Sequence, residues 1–358
     1  MSAPEFSIVI PTRNGERYLA AAIESVLTQS YSHWRLHILE SGSTDGTLAL
    51  VERYLSDPRI ALHSTPADQP PLDIVGNWAR ILRLDLSDYL TILGHDDLLD
   101  ADFLAEIAAL IAAEPNASLW LTHFKLIDSD GALIRPCKPF PPRLDADEYL
   151  YGLHTRRLES YATGYVMRSS DYIRLGGIPP LRNLLYADLL LWYRLISLSY
   201  LACSPRYAFS YRVHGQSMSY AMQLSDWYTA SEQYLERLAE SDHFKNEQHK
   251  RAAYACIAHE LKRALYRSLL TLILDGTAED QRAFRQLEAE IAARAAKVGI
   301  TGYRDWRVRL LRLIAALPSR RVRRALAMPI QLWRVRRAKR LTQRAQADRS
   351  CLPESGRP

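Results

Sequence analysis

Short apolar runs of strand length alternate with segments of helical spacing through the first hundred residues, and this alternation constrains the fold more than any other feature of the chain. Phe6-Ser-Ile-Val-Ile-Pro11 is β-branched and closed by proline, as a buried strand is. Thr12-Arg13-Asn14-Gly15 then makes a loop. Asn14 is placed to N-cap a helix whose apolar positions Tyr18, Leu19, Ala22, Ile23, Val26 and Leu27 recur up to Gln29. Trp34–Leu39 reads as a second strand and leads into the turn-rich Glu40-Ser-Gly-Ser-Thr-Asp-Gly-Thr47, followed by a helix through Leu48, Val51, Tyr54 and Leu55. Arg59–His63 fits a third strand. Asp73–Leu84 fits a helix with Trp78, Ile81 and Leu82 inward, and a fourth strand runs to Asp96. Strands and helices in strict alternation build a mostly parallel sheet with helices on both faces. Such a sheet gathers its loops at one rim, so Thr12-Arg13, Glu40–Asp45 and Asp96-Asp97 are expected to converge there. The chain contains neither GxGxxG nor GxxxxGK[ST], which removes the dinucleotide fingerprint and the P-loop as explanations.

The fourth run, Asp88-Tyr-Leu-Thr-Ile-Leu-Gly-His-Asp-Asp97, stops at two adjacent carboxylates. Ionised acids this close repel, and the usual remedies are a shared proton or a divalent cation such as Mg²⁺ or Mn²⁺, which would in turn hold a diphosphate. The same pair ahead of Leu98 and Leu99 equally suits an exposed acidic turn or a helix start. On these residues alone both readings stand.

The 358 residues carry enough apolar content for one large domain or two ordinary ones. Cys137, Cys203, Cys256 and Cys351 are widely spaced, without a CxxC pair, and no secretory signal precedes Phe6. That pattern points to a reducing, cytoplasmic compartment rather than to disulfides or a zinc cluster. No apolar run approaches the roughly 18 residues a membrane span requires, Ser268–Leu274 included. The formal charge of +6 is unevenly spread. Thr301–Pro358 holds 16 Lys and Arg against 3 Asp and Glu, a net of +13, which leaves 30 against 37, or −7, for residues 1–300.

Beyond Asp97, Phe103–Ala113 is an amphipathic helix, Ser118–Phe124 an alternating strand, Asp128-Ser-Asp-Gly131 a hairpin turn, and Pro136–Pro142 a loop unable to enter a central strand. Leu224–Val298 favours helix almost throughout, with an apolar stripe of Tyr254, Ile257, Leu261, Leu265, Leu269 and Leu270 for packing against the preceding domain or a partner subunit, so a homo-oligomer is open. From Tyr303 onward Trp306, Val308, Leu310, Leu311, Leu313 and Ile314 alternate with arginines, and further basic clusters follow at Arg320–Arg324 and Arg334–Arg340. Apolar residues at helical spacing among arginines suit an anionic membrane surface. Nucleic acid, the rival polyanion, is less favoured because no nucleic-acid module is visible. The residues after Gln343 are expected to be disordered.

Four ordered stretches, Ser7-Ile-Val-Ile-Pro-Thr-Arg-Asn14, Ala21-Ala-Ile-Glu-Ser-Val-Leu-Thr-Gln-Ser-Tyr31, Glu40-Ser-Gly-Ser-Thr-Asp-Gly-Thr47 and Leu93-Gly-His-Asp-Asp97, together resemble the family 2 glycosyltransferases of the GT-A fold, over about residues 6–220. The resemblance implies an α/β, Rossmann-like GT-A domain at 1–222, with a nucleotide-sugar half (1–100) and an acceptor half (101–222). A helical extension (223–300) and a basic amphipathic tail (301–358) follow it. By the same resemblance Pro11, Thr12 and Arg13 lie against base and ribose, and Glu40 accepts from a uracil-type imide, with Ser41 standing where the family has a second acid. Asn77 and Arg80 flank the diphosphate, although Arg80 also suits a solvated helix face. Asp96 is the metal ligand of the family's Asp-x-Asp motif, whose first acid is Gly94 here. His95 lies between, and Asp97 supports Asp96, binds a metal-bound water or caps a helix. Ser160-Tyr-Ala-Thr-Gly-Tyr-Val-Met-Arg168 and Leu175-Gly-Gly-Ile-Pro179 match the acceptor side. Asp188 matches the general base, with Ala187 in place of its acidic partner. In Ala208-Phe-Ser-Tyr-Arg-Val-His-Gly-Gln-Ser-Met-Ser219, Arg212 matches a diphosphate partner and His214 either a metal ligand or a structural histidine.

The expectation is therefore an inverting transferase using Mg²⁺ or Mn²⁺ and a nucleoside-diphosphate sugar, UDP-linked by preference. The acceptor would be a saccharide or lipid-linked saccharide in bacterial surface-glycan synthesis, with the enzyme peripheral on the inner face of the cell membrane. The alternatives are a catalytically silent, membrane-associated assembly partner and, less well supported, a sugar nucleotidyltransferase, for which Thr12-Arg13-Asn14-Gly15 is too short a loop.

Overall fold

Strand β1 (Phe6–Thr12) is buried along its whole length because it is flanked on both sides by parallel partners, β2 (Trp34–Glu40) and β4 (Tyr89–Ile92). Beyond β2 lies β3 (Ile60–Ser64), also parallel. The chain thus steps outward from β1 to β2 to β3 and then returns to place β4 on the opposite side of β1. With right-handed crossovers, the outward and returning connections lie on opposite faces of the sheet. The reversal opens a crevice at the carboxyl ends of β1 and β4, where an open α/β sheet binds its ligands.

The computed structural model describes residues 3–66, 68–214, 222–275, 277–297, 306–317, 319 and 321–330. The chain divides into two units, Met1–Gly215 and Gln216–Pro358. In the first, the strand order is β3-β2-β1-β4-β9-β6-β10-β5, where β5 is Leu98–Leu99, β6 Leu119–Ile127, β9 Tyr165–Arg168 and β10 Leu201–Arg212. Strand β7 (Leu133–Pro136) completes a hairpin with β6, and β8 (Arg143–Leu144) pairs with β10. The first four strands are parallel throughout. Strand β9, which the sequence did not reveal as a strand, then enters antiparallel between β4 and β6. Gly164 makes that entry possible: its φ is +82° and a Cβ there would lie 2.6 Å from the Phe209 ring.

The helices of this unit are α1 (Leu19–Leu27), α2 (Thr47–Glu52), α3 (Ile74–Ala79), α4 (Phe103–Ala113), α5 (Ala146–His154), α6 (Ser169–Arg174) and α7 (Ala187–Ile196). Three expectations need correction. Helix α2 ends at Glu52 and leaves Leu55 exposed. Helix α3 tightens into a 3₁₀ turn at Arg80–Arg83; at three residues per turn Ile81 stays under Trp78 and is buried, whereas Leu82 swings outward to 37% exposure. Strand β4 stops at Ile92, and Gly94–Asp97 is a turn in which Asp97 N donates to the Gly94 carbonyl (3.1 Å). Because Leu98 and Leu99 then pair with Ser210 and Phe209 in β10, Asp96-Asp97 does not open a helix; α4 starts at Phe103.

In the second unit the helices are Leu224–Ala239, Glu247–Asp275, Ala278–Lys297 and Trp306–Ala315, and residues 321–330 are also helical. Ile257, Leu261, Leu265, Leu269 and Leu270 are buried on the Glu247–Asp275 helix, which packs on Leu224–Ala239 and Trp306–Ala315. The stripe expected to face a membrane as one surface is divided. Val308, Leu311 and Ile314 turn inward, while Leu310 and Leu313 are exposed, as are Val322, Leu326 and Met328. No described helix is long and apolar enough to cross a membrane. Gly215–Ser219, Tyr303, Arg320, Arg334–Arg340, the residues after Gln343 and the side chain of Trp306 lie outside the described residues.

Candidate functional site

The loops after β1 and β2 are tied together at the crevice. Asn14 does not cap α1; it takes a left-handed φ of +51°, which asparagine tolerates, and α1 has no side-chain cap. In this conformation Asn14 N donates to Ser43 Oγ (2.9 Å), Thr44 N donates to Asn14 Oδ1 (2.8 Å), and Gly15 N donates to Thr47 Oγ1 (2.9 Å). Pro11 and Thr12 stand in register with Leu39 and Glu40, and Arg13 is exposed at the rim. Thr12 Oγ1 is buried without a hydrogen-bond partner. Glu40 is buried, with one carboxylate oxygen accepting from Ser43 N at 2.5 Å.

The neighbouring polar groups are committed to the protein itself. Ser41 Oγ donates to the Leu72 carbonyl (2.8 Å). Asn77 Nδ2 donates to the Leu39 carbonyl (3.0 Å), and Asn77 Oδ1 accepts from Arg80 (3.0 Å). Arg80 also donates to the carbonyls of Glu40 (2.8 Å) and His63 (2.6 Å), and burial lowers its pKa. Arg80 is therefore not on a solvated face; it clasps the carboxyl ends of β2 and β3 together beneath Glu40.

On the other side of the crevice Asp96 and Asp97 point to different surroundings. Asp96 Oδ2 lies 2.7 Å from His214 Nε2, and the side chain keeps 22% exposure. Burial alone would raise its pKa, but the hydrogen bond from His214 and the charges of His95 and His214 outweigh that and hold it below the ordinary carboxylate value. Asp97 is buried, with Thr163 Oγ1 donating to Oδ2 (2.6 Å) and Arg212 N to Oδ1 (2.9 Å). Burial, then the charge of Asp96, raise its pKa well above the ordinary value. Asp97 thus faces the protein rather than a donor. The guanidinium of Arg212 is also occupied: Nε donates to the Asp96 carbonyl (2.7 Å), Nη1 to the Asp128 carbonyl (3.0 Å), and Cζ sits 4.7 Å from the Tyr18 ring centroid. It fastens the Asp96 turn to the β6–β7 hairpin. Tyr18 in turn packs on His214 with centroids 5.1 Å apart. His95 is half-buried beside Gly15. A Cβ on Gly94 would lie 2.6 Å from Asp97 Oδ2 and 2.8 Å from Asp96 Oδ1, so this turn has no room for an acid at position 94.

Asp96 Oδ2 and His214 Nε2 lie within hydrogen-bond distance of each other at 2.7 Å. A divalent ion held by this pair would find one oxygen and one nitrogen donor on the protein. Such a mixed set suits Mn²⁺ better than the oxygen-seeking Mg²⁺.

Asp188 lies in the first turn of α7, half-buried. The backbone leading to it is strained, with Asn183, Leu184 and Tyr186 all at positive φ (52°, 56° and 61°). Non-glycine residues in this region cost about 1–3 kcal/mol each and cluster at functional sites. Burial raises the Asp188 pKa to about 6, only partly offset by backbone N–H groups of Leu189 and Asp188. Ala187 is fully buried, so a second acid there would be desolvated. Burial raises the Tyr211 pKa, and the charges of Asp97, Asp96, Tyr161 and Asp188 act in the same direction.

Ser41, Asn77, Arg80, Asp97 and Arg212 are engaged by other protein groups and build the walls of the site, and Glu40, Asp96, His214 and Asp188 stand as its candidate functional groups. The residues missed from sequence were Tyr18, Tyr161, Thr163 and Tyr211. The last three lie inside the segments that resemble the acceptor side and the closing loop, but nothing in their spacing marked them as neighbours.

Residues 7–162 match the family model described as Glycosyl transferase family 2. A protein of Mycobacterium bovis named PGL/p-HBAD biosynthesis glycosyltransferase is 34% identical over 122 residues, 33% of this chain and 46% of that one. The matched stretches span less than half the length of the first curated relatives. Among solved structures, S. aureus TarS 1–349 in complex with UDP-GlcNAc covers 77% of each chain at 16% identity and a TM-score of 0.53. The mannosyltransferase PcManGT of Pyrobaculum calidifontis, in complex with GDP-Man and Mn²⁺, covers 88% of each at 17% identity and a TM-score of 0.50. These likenesses identify the fold as that of GT-A glycosyltransferases.

Proposed function

Because residues 7–162 belong to glycosyl transferase family 2, we propose that this chain is an inverting glycosyltransferase that moves a sugar from a nucleoside diphosphate, UDP by preference, to a hydroxyl of a saccharide or lipid-linked saccharide. The observation that carries the reading is a run of contacts between the donor-side turn and the helix of the base: Arg212 N donates to Asp97, the neighbouring Tyr211 stacks on Tyr161, and Trp192 of α7 donates to the Tyr161 carbonyl. The acceptor oxygen bonds to the anomeric carbon as the bond from that carbon to the diphosphate breaks. Its proton passes to Asp188, and the electron pair departs with the nucleoside diphosphate. A carboxyl with a pKa of about 6 is mostly ionised at neutral pH yet basic enough to take a proton in the transition state. Glu40 would accept from the imide of the nucleobase, at the end of a strand that Arg80 fastens through the Glu40 backbone carbonyl. Asp96 and His214 would hold Mn²⁺, which when bound offsets the charge of the departing diphosphate. Three departures from the family pattern have local physical reasons: Gly94 avoids a clash with Asp96 and Asp97, Ala187 is fully buried, and Ser41 donates to the Leu72 carbonyl.

Exposed Leu310, Leu313, Val322, Leu326 and Met328 lie among the exposed arginines Arg309, Arg321 and Arg324. They support peripheral attachment to the anionic inner face of the cell membrane, each basic residue adding about 1 kcal/mol. The test is nucleoside diphosphate release from UDP-GlcNAc and GDP-mannose, with and without Mn²⁺ and a saccharide panel. Mn²⁺-stimulated release with inversion at the anomeric carbon supports the reading; silence across the panel overturns it in favour of an assembly partner.

A further inference from the structure

The two hydrogen bonds on Asp97 do more than satisfy a buried acid. Thr163, which donates to Oδ2, follows Tyr161 by two residues; Arg212, which donates to Oδ1, follows Tyr211 by one. Asp97 therefore staples together the two segments that carry these tyrosines, and their rings stack with centroids 3.7 Å apart and planes 23° from parallel. Tyr161 is braced from behind by the edge of Phe124 (5.4 Å, 87°) and by Trp192 Nε1 donating to its carbonyl (3.3 Å). Trp192 belongs to the helix that bears Asp188 and stacks on Tyr165 (4.5 Å). The stack is thus fixed on one side to the Asp96 turn and on the other to the helix of the base.

Both tyrosines keep part of their surface exposed, and among the described residues no hydrogen bond reaches either hydroxyl. The hydroxyls of the buried Tyr149 and Tyr165, by contrast, are satisfied by Ser160 and by each other. We propose that the Tyr161–Tyr211 stack is a platform for the acceptor sugar ring, stationed between Asp96 and Asp188 and held in place by Asp97. A cyclic sugar has an apolar C–H face and a rim of hydroxyls, and a tyrosine offers the matching pair, an aromatic face and one phenolic donor and acceptor. The acceptor is accordingly a ring saccharide rather than an acyclic polyol phosphate. The platform's part in transfer rests on the reading given under Proposed function; its binding of a ring does not.

Saturation-transfer difference NMR on the full chain with UDP present tests this. The probes are the methyl glycosides of glucose, mannose, galactose and rhamnose, with glycerol 3-phosphate as the acyclic control. Wild type should transfer saturation to the ring protons of at least one glycoside and not to glycerol 3-phosphate. Tyr211→Leu should cut that transfer at least fivefold while circular dichroism and UDP affinity stay unchanged. Tyr211→Phe, which keeps the stack and removes the hydroxyl, should weaken glycoside binding about tenfold. Equal saturation of glycerol 3-phosphate, no ring-proton signal in wild type, or a full signal in folded Tyr211→Leu would overturn the platform. If the leucine variant does not fold, an unchanged glycoside Kd in Tyr211→Phe does so instead. Ring binding without nucleoside diphosphate release from any donor would sink glycosyl transfer alone, and release without ring binding would sink the platform alone.

Discussion

Replacing Asp188 by asparagine keeps the shape of the side chain and removes its charge, so it separates catalysis from stability in one substitution. Burial displaces the carboxyl from 3.8 to about 6. At roughly 1.4 kcal/mol per pKa unit, the ionised form costs the native state about 3 kcal/mol, and water reaching the half-buried group reduces this to about 1–3 kcal/mol. The sign follows from the direction of the displacement. With the folded pKa above the unfolded one, the native state binds the extra proton, so the penalty is absent below about pH 4, grows between pH 4 and 6, and is complete above pH 7. Asp188→Asn should therefore unfold at higher urea concentration than wild type at pH 8 and at nearly the same concentration at pH 4. Transfer should meanwhile fall by roughly 10²–10⁴ as the general base is lost, with nucleotide affinity retained. Two assays decide it: urea unfolding of both proteins at the two pH values, and product formation with an excess of donor. A stability change of the same size at both pH values would refute the desolvated-carboxylate argument, and transfer within tenfold of wild type would refute the base.

Three further outcomes follow from single contacts. Gly94→Ala forces a methyl group against the oxygens of Asp96 and Asp97, so it should lower stability by about 1–3 kcal/mol in chemical unfolding and weaken Mn²⁺ binding measured by electron paramagnetic resonance. Asp96→Asn should reduce Mn²⁺ affinity at least tenfold in the same measurement while leaving the fold intact by circular dichroism, because it removes the charged donor of the Asp96–His214 pair. His37 faces His63 across β2 and β3 at 3.2 Å, and burial, then His63, lowers its pKa to about 4. A folded pKa below the unfolded value means stability present above about pH 6.5 and lost as pH falls toward 4, so His37→Gln should flatten that acid loss by about 1–3 kcal/mol in unfolding titrations.

Much of the nucleotide half was legible because it is built from local signals. β1 and β2 begin and end within two residues of the apolar runs that announced them, and α4 coincides with its amphipathic pattern. Strand β9 was not legible, because its antiparallel place between β4 and β6 depends on partners 44 to 79 residues away and on the backbone freedom of Gly164. The helix at Trp306–Ala315 announced its apolar positions but not that Leu310 and Leu313 would face away from Val308 and Leu311.

From sequence alone came the alternating elements, the rim at which their loops meet, and the candidates Glu40, Asp96, His214 and Asp188. The elements and the rim follow from periodicity and Asp96 from its paired carboxylates, whereas Glu40, His214 and Asp188 rest on the resemblance to family 2 glycosyltransferases. Tertiary structure alone decided which of the candidate polar groups are engaged by other parts of the protein. Arg212 and Asp97 read as ligand-binding residues but are occupied by carbonyls, a threonine and a backbone amide. Tyr161 and Tyr211 carried no signal, yet they meet ring to ring. Hydrogen-bond capacity is finite, and only the packed molecule determines which partners reach each group first.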